Sequence, residues 1–289
     1  MTTRREFVGA VGAAALGAGG LLNTPFTSHA SPLTSHVSPD RLDRIGLQLY
    51  TVRREMQRDF DATLARVAEI GYKEVEFVGY FGRTPQQAKA VLDRVGLIAP
   101  AAHQPFEALE GEWARTLEAA HTIGHQYVLA AWIPEERRRT LDDWRRVADV
   151  FNRAGEAAKR AGLTFGFHNH SYEFVRVGDR LPYDVLIEAC DPRYVVFEMD
   201  LFWIAKGGGD PLAYFARYPG RFPLVHVKDM DSTPQQGMVD VGQGIIGWRR
   251  IFAQRAQAGI RHAFVEHDQP RDPFASIRAS YDYLSRLEF

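Results

Sequence analysis

Short apolar runs, often β-branched, alternate along most of the chain with longer stretches whose apolar residues recur every three or four positions. The short runs fall at 45–50, 74–78, 97–102, 127–131, 163–168, 194–199, 224–227 and 263–266, eight candidate strands in all. Between them the spacing is helical. In 60–70 the apolar positions are Phe60, Leu64, Val67, Ala68 and Ile70, and the run at 88–95 is introduced by Thr84-Pro85, a capping residue followed by a first-turn proline. Gly71, Gly96, Gly124, Gly162 and Gly259 each follow a helical stretch, where the chain has to turn left-handed before the next strand. Eight βα units in strict alternation predict parallel strands with right-handed crossovers, and closure removes the edges that an open sheet would expose. The predicted fold class is therefore α/β, a single (β/α)8 TIM barrel. An open dinucleotide-binding sheet is disfavoured, because Gln48-Leu49-Tyr50-Thr51-Val52-Arg53 carries no glycine-rich turn after the first strand.

The beginning of the chain breaks this pattern. Arg4-Arg5, then Phe7 and an apolar run over 8–22, resembles a twin-arginine export signal, with Ser28-His29-Ala30 supplying small residues for cleavage after Ala30. That run is shorter than the ~20 residues a membrane-spanning helix needs. The expected organisation is an export signal at 1–30, a flexible tether at 31–44 rich in Ser, Pro and Thr, and the barrel at 45–289. The expected location is periplasmic or secreted, with no stable membrane association once the signal is removed. The twin-arginine route carries folded proteins, often with cofactor in place.

Composition narrows the partners. A net charge of −1 with 25 % charged residues offers no field to gather nucleic acid, so the expected partner is a small molecule, with a homo-oligomer left open. Cys190 is the one cysteine, which rules out an intramolecular disulfide, and its place in a helical stretch reads as a small buried hydrophobe rather than a nucleophile.

In such barrels chemistry collects where strands end at the C-terminal face. Four consecutive ends carry it here: Phe167-His168-Asn169-His170, Glu198-Met199-Asp200, His226-Val227-Lys228-Asp229 and Val265-Glu266-His267. His168, Asp200, His226 and Glu266 on neighbouring strands would converge two imidazoles and two carboxylates, a mixed set suited to one divalent ion, Mn²⁺ first, with Co²⁺, Fe²⁺, Zn²⁺ or Mg²⁺ as alternatives. Singly, each has a plainer reading as a helix cap, an ion pair or a hydrogen-bonded core histidine. Strand alternation puts Lys228 on the inner face with His226, though lysine can also snorkel to solvent, and puts His170 inward with His168 and His267 outward. Glu76 and His103 are candidate contacts for substrate hydroxyls. Trp203, with Phe202 and Trp132, is a candidate stacking surface or plain rim packing.

The segments Ile45-Gly46-Leu47-Gln48-Leu49-Tyr50-Thr51-Val52-Arg53, Phe167-His168-Asn169-His170 with Glu173-Phe174, Asp200, His226-Val227-Lys228-Asp229 and Glu266 together resemble the sugar phosphate isomerase/epimerase family of xylose-isomerase-like barrels. That superfamily includes inosose dehydratase, tagatose 3-epimerase-like and endonuclease IV branches. The resemblance implies a metal held by Glu, Asp, His and Glu from strands five to eight, with the two glutamates exchanging a proton with substrate carbon. Here His168 stands where the first glutamate is expected, and an imidazole bound to metal is a poor proton acceptor, so a one-sided base is implied. Glu266 is the first candidate base, Glu173 the second, and Lys228 the candidate acid. The expected function is a divalent-metal-dependent sugar isomerase or epimerase acting beside a metal-bound carbonyl. The alternatives are a lyase or dehydratase eliminating across a keto-sugar or 3-keto-glycoside, and a non-catalytic exported sugar-binding protein. The near-neutral charge argues against the nuclease branch.

Overall fold

A computed structural model describes residues 40–289 of the chain. The export signal expected at 1–30 and the part of the tether at 31–39 lie outside the described residues. In the remainder of that stretch Asp40 and Phe289 exchange backbone hydrogen bonds of 3.1 and 3.0 Å, Arg255 pairs with Asp40, Arg41 with Glu288, and Ile45, where the barrel begins, is buried. Charged side chains at 40, 41 and 44 find partners on the closing end of the chain and on Glu74, so this stretch is stitched to the barrel and not free of it.

The strands are β1 (Gly46–Gln48), β2 (Glu74–Val78), β3 (Ile98–Gln104), β4 (Tyr127–Ala130), β5 (Thr164–His168), β6 (Val195–Asp200), β7 (Leu224–Val227), β8 (Asp229–Met230), β9 (Met238–Val239) and β10 (His262–Val265). Eight of them close a barrel in the order β1-β10-β7-β6-β5-β4-β3-β2, every pair parallel. The predicted (β/α)8 TIM barrel is what the chain forms. The helices between strands begin and end as their residues dictate. Thr84 caps the helix Pro85–Val95 in a reciprocal capping box with Gln87, and all five glycines expected to end helices have positive φ.

Two cores result. The larger lies between the strands and the surrounding helices, filled by side chains such as Phe77, Phe151, Phe165 and Phe197. The smaller is a plug inside the barrel made by Ala101, Tyr127, Leu129, Leu224 and Phe264, with Val196 packed on it. Phe264 fits only because its neighbour is glycine: a Cβ on Gly46 would come within 2.4 Å of the Phe264 ring. Below the plug, His262 Nδ1 donates to Glu74 Oε2 at 2.8 Å. Cys190 is buried and free, and burial pushes its thiol up to about 12, so it stays protonated and inert at neutral pH.

A strap the hydrophobic pattern did not announce follows β7. The two-residue strands β8 and β9 pair antiparallel, and Asp229 gathers the loop beyond them. Its Oδ1 accepts from Met230 N and Ile246 N, and its Oδ2 from Gly242 N, Gly244 N and Trp248 Nε1, at 2.9–3.2 Å. A Cβ on Gly244 would lie 2.3 Å from Asp229 Oδ1, so the close wrap depends on glycine there. Among the described residues no helix is long and apolar enough to cross a membrane.

Candidate active site

Alternation along β6 and β7 turns Val196, Glu198 and Asp200, and Leu224, His226 and Lys228, to the barrel interior. The first of each set belongs to the plug and the others form a polar layer above it. Asp200 is also the N-cap of the helix Leu201–Lys206: its Oδ1 accepts from Phe202 N and Trp203 N at 3.0 and 2.9 Å. The plainer reading of this residue and the functional one thus coexist, because the cap uses one oxygen and leaves Oδ2 facing inward. Asn169 Oδ1 accepts from Asp200 N at 3.1 Å and ties the ends of β5 and β6 together.

Asp200 Oδ2, His226 Nδ1 and Glu266 Oε2 converge to within 4.8 Å of one another. All three atoms are buried and lack a directed hydrogen-bond partner. Glu266 Oε2 lies 2.7 Å from His226 Nδ1 and 2.8 Å from Lys228 Nζ, but as ion-pair approaches without hydrogen-bond angles. Lys228 Nζ is also 3.0 Å from Asp200 Oδ2 and from Asp268 Oδ1. His168 Nε2 stands 3.7 Å from Asp200 Oδ2. Three buried atoms without partners around one point, with a second imidazole beside them, form a donor set that fits a cation, since buried polar atoms are otherwise satisfied. The four residues singled out in the sequence as metal ligands are therefore brought together.

A second group lies deeper. Glu198 Oε2 is 2.7 Å from His103 Nε2 and 3.2 Å from both His168 Nδ1 and His226 Nε2. Glu76 Oε2 accepts from Gln48 Nε2 at 2.7 Å and lies 2.6 Å from His226 Nε2. Glu76, expected to meet substrate hydroxyls, is wholly buried in this lower tier, and Glu198 was not singled out at all.

The mouth is a cavity of about 360 Å³ lined by Tyr50, Val78, His103, Ala131, Trp132, His168, His170, Lys228, Glu266 and Asp268, within the range that holds small ligands. Trp132 is 51 % exposed at its rim. Trp203 stands behind this wall, its ring 5.7 Å from that of His170. Glu173 is behind His170 too: its Oε2 accepts from His170 N at 2.9 Å, and burial pushes its carboxyl up to about 8. His170 is lowered to about 3 by burial and by Lys228, so it is neutral at the mouth.

Burial works against every charge here, and the neighbours decide the outcome. Burial would raise Glu266, but Lys228 and His226 hold it well below the usual carboxylate range. Burial would lower Lys228, but Asp200, Glu266 and Asp268 keep it a firm cation. Asp200 is raised to about 6 by burial, against the pull of Lys228. His226 is raised well above its ordinary value by Glu198, Glu266 and Glu76 in spite of burial, while burial and His226 push His168 well below it.

The family model described as xylose isomerase-like TIM barrel matches residues 64–287. Among curated proteins, the inosose dehydratase of Lacticaseibacillus casei is 24 % identical over 191 residues, 59 % of this chain. The match spans 63 % of that relative's length. Among solved structures, a sugar phosphate isomerase/epimerase from Parabacteroides distasonis superposes with a TM-score of 0.76 at 28 % identity, covering 84 % of this chain and 98 % of its own. The IolI protein, solved with a zinc atom, is similar in fold, with a TM-score of 0.66 at 14 % identity over 83 % of this chain and 95 % of its own.

Proposed function

The chain belongs to the xylose isomerase-like TIM barrel family, and from that premise we propose that it is a divalent-metal-dependent sugar isomerase or epimerase that removes a proton from carbon beside a carbonyl. The observation that carries this reading is the convergence of Asp200 Oδ2, His226 Nδ1 and Glu266 Oε2, all buried and unsatisfied, under a sugar-sized cavity. These three residues would hold the ion, with His168 Nε2 as the fourth donor. The mixed nitrogen and oxygen set suits Mn²⁺, Co²⁺, Fe²⁺ or Zn²⁺ better than Mg²⁺. Bound there, a divalent ion supplies a Lewis acid that polarises the substrate carbonyl.

The chain's own residues do the rest. Glu266 turns Oε2 to the cluster and lines the cavity, which leaves Oε1 as the oxygen that takes the proton from carbon. Lys228, ionised and at the cavity wall, holds a substrate oxygen or returns a proton to it. His103 and the neutral His170 offer hydrogen bonds to hydroxyls, and Trp132 and Tyr50 give apolar faces for a sugar ring. Lys228 is the only lysine or arginine among the lining residues and is already shared by Asp200, Glu266 and Asp268, which favours an unphosphorylated sugar. The twin-arginine pattern at Arg4-Arg5 supports export to the periplasm or beyond.

A specific observation supports a second outcome of the same proton abstraction. A firm cation beside the base, with an imidazole and no carboxylate at residue 168, equips one face for elimination, with Lys228 protonating the departing oxygen. This lyase reading also accords with the name of the curated relative. The test is solvent deuterium incorporation followed by NMR over a panel of ketoses and 3-keto-glycosides, with Mn²⁺, after chelation, and for Glu266→Gln. Label entering a retained skeleton supports the isomerase, and a released hydroxyl or aglycone supports the lyase. Glu266→Gln should slow either by about 10²–10⁴-fold. Sugars that bind without any exchange would leave a binding protein instead.

A further inference from the structure

Resting on the metal reading above, we infer that Glu76 and Glu198 are positioning residues that fix which nitrogen of His226 and of His168 faces the metal position. The chain of hydrogen bonds starts at the backbone. Tyr50 N donates to Gln48 Oε1 at 3.0 Å, which orients the carboxamide so that its Nε2 donates to Glu76 Oε2 at 2.7 Å. Glu76 Oε2 is therefore an acceptor, and His226 Nε2, 2.6 Å away, carries the hydrogen it accepts. With Nε2 keeping its hydrogen, the nitrogen of His226 left to bind an ion is Nδ1, the atom 2.7 Å from Glu266 Oε2 and 3.8 Å from Asp200 Oδ2. His168 repeats the arrangement with its nitrogens exchanged: Nδ1 is 3.2 Å from Glu198 Oε2, and Nε2 faces Asp200.

An imidazole that binds metal through one nitrogen and donates the other's hydrogen to a carboxylate is locked in tautomer and ring angle, and becomes a stronger ligand. His168 brings no charge of its own, and Glu198 supplies one a single hydrogen bond behind it. The deeper group of His103, His168, His226 and Glu198 also lies within ligand distance of a common point. An ion there would require His168 Nδ1 and His226 Nε2 to give up the hydrogens that Glu198 and Glu76 accept, and would leave Asp200 Oδ2 and Glu266 Oε2 without a partner. The lower tier is thus a bracket for the ligands and not a second metal position.

The experiment measures Mn²⁺ and Zn²⁺ affinity, by competition with a chromophoric chelator, for the unsubstituted protein, Glu76→Gln and Glu198→Gln, with circular dichroism as the check on folding. It is joined by NMR of the Zn²⁺-loaded unsubstituted protein with ¹⁵N-labelled histidine. Each Gln variant should bind about 10–100-fold more weakly. The spectra should show His226 metallated at Nδ1 with hydrogen on Nε2, and His168 metallated at Nε2 with hydrogen on Nδ1. The opposite nitrogens, or unchanged affinity in both folded variants, overturn this inference alone. Failure of the unsubstituted protein to bind either ion overturns the metal reading and this inference with it. Should a variant not fold, the nitrogen assignment in the unsubstituted protein still decides.

Discussion

The same strands build two interiors of opposite character one above the other. Leu224 and Phe264, with Tyr127 and Leu129, make a dry plug, while two and four residues further along the chain from β6, β7 and β10 the inward positions are Glu198, Asp200, His226, Lys228 and Glu266. The plug needs nothing beyond shape, and Gly46 gives way to Phe264 to achieve it. The upper tier gathers buried charges whose burial alone is unfavourable and which depend on one another for neutrality. The contrast teaches that the barrel's stability and its chemistry are held by different levels of one set of strands, so each can be damaged while the other survives.

The largest expected effect that would sharpen this contrast is in the plug. Leu129→Ala should cost about 2–5 kcal/mol in urea unfolding, as large-to-small changes in packed cores do, with unchanged metal affinity of the folded fraction. A loss of metal affinity from that change would break the separation. Next, Mn²⁺ at about a hundred times its dissociation constant should add ~2.7 kcal/mol to stability through the upper tier, and this gain should vanish in Asp200→Asn. The smallest effect lies outside both interiors. His125, donating to Ala99 O at 2.6 Å, is lowered to about 4 by burial, so it is neutral when folded and takes up a proton on unfolding below about 6.5. Stability should fall as pH drops through the window from about 6.5 to about 4, by ~2 kcal/mol between pH 7 and 5. A His125→Asn variant should flatten that slope, and an unchanged slope would assign the acid lability to the polar tier instead.

Much of this is legible in the sequence alone. Each of the eight barrel strands falls within two residues of its expected bounds, and β1 ends two residues early because Leu49–Val52 coils into a 3-10 turn. Long amphipathic periods and recurrent glycines are strong local signals, so the barrel could be read from them. The ends of β5, β6, β7 and β10 pointed to His168, Asp200, His226 and Glu266, which the fold gathers, because strand ends of a barrel have only one place to converge. Glu198 escaped notice although alternation places it on the face of Asp200, the rule already applied to His226 with Lys228. Asp268 and the bracket role of Glu76 could not be read, since they depend on which tier a side chain occupies, and register across the barrel is not written in any one strand. The strap after β7 was missed because two-residue strands have no period to detect.

Asp229 ties that strap down almost wholly through main-chain hydrogens, with the Trp248 indole as the one side chain among its donors. The path of the segment is therefore indifferent to most of the letters within it. Apart from Gly242 and Gly244, whose lack of a side chain the wrap requires, its residues can change in kind without disturbing the strand that presents His226 and Lys228. The outer surface of the strap is thus free to diversify in sequence while the buried cluster of Asp200, His226 and Glu266 keeps its geometry.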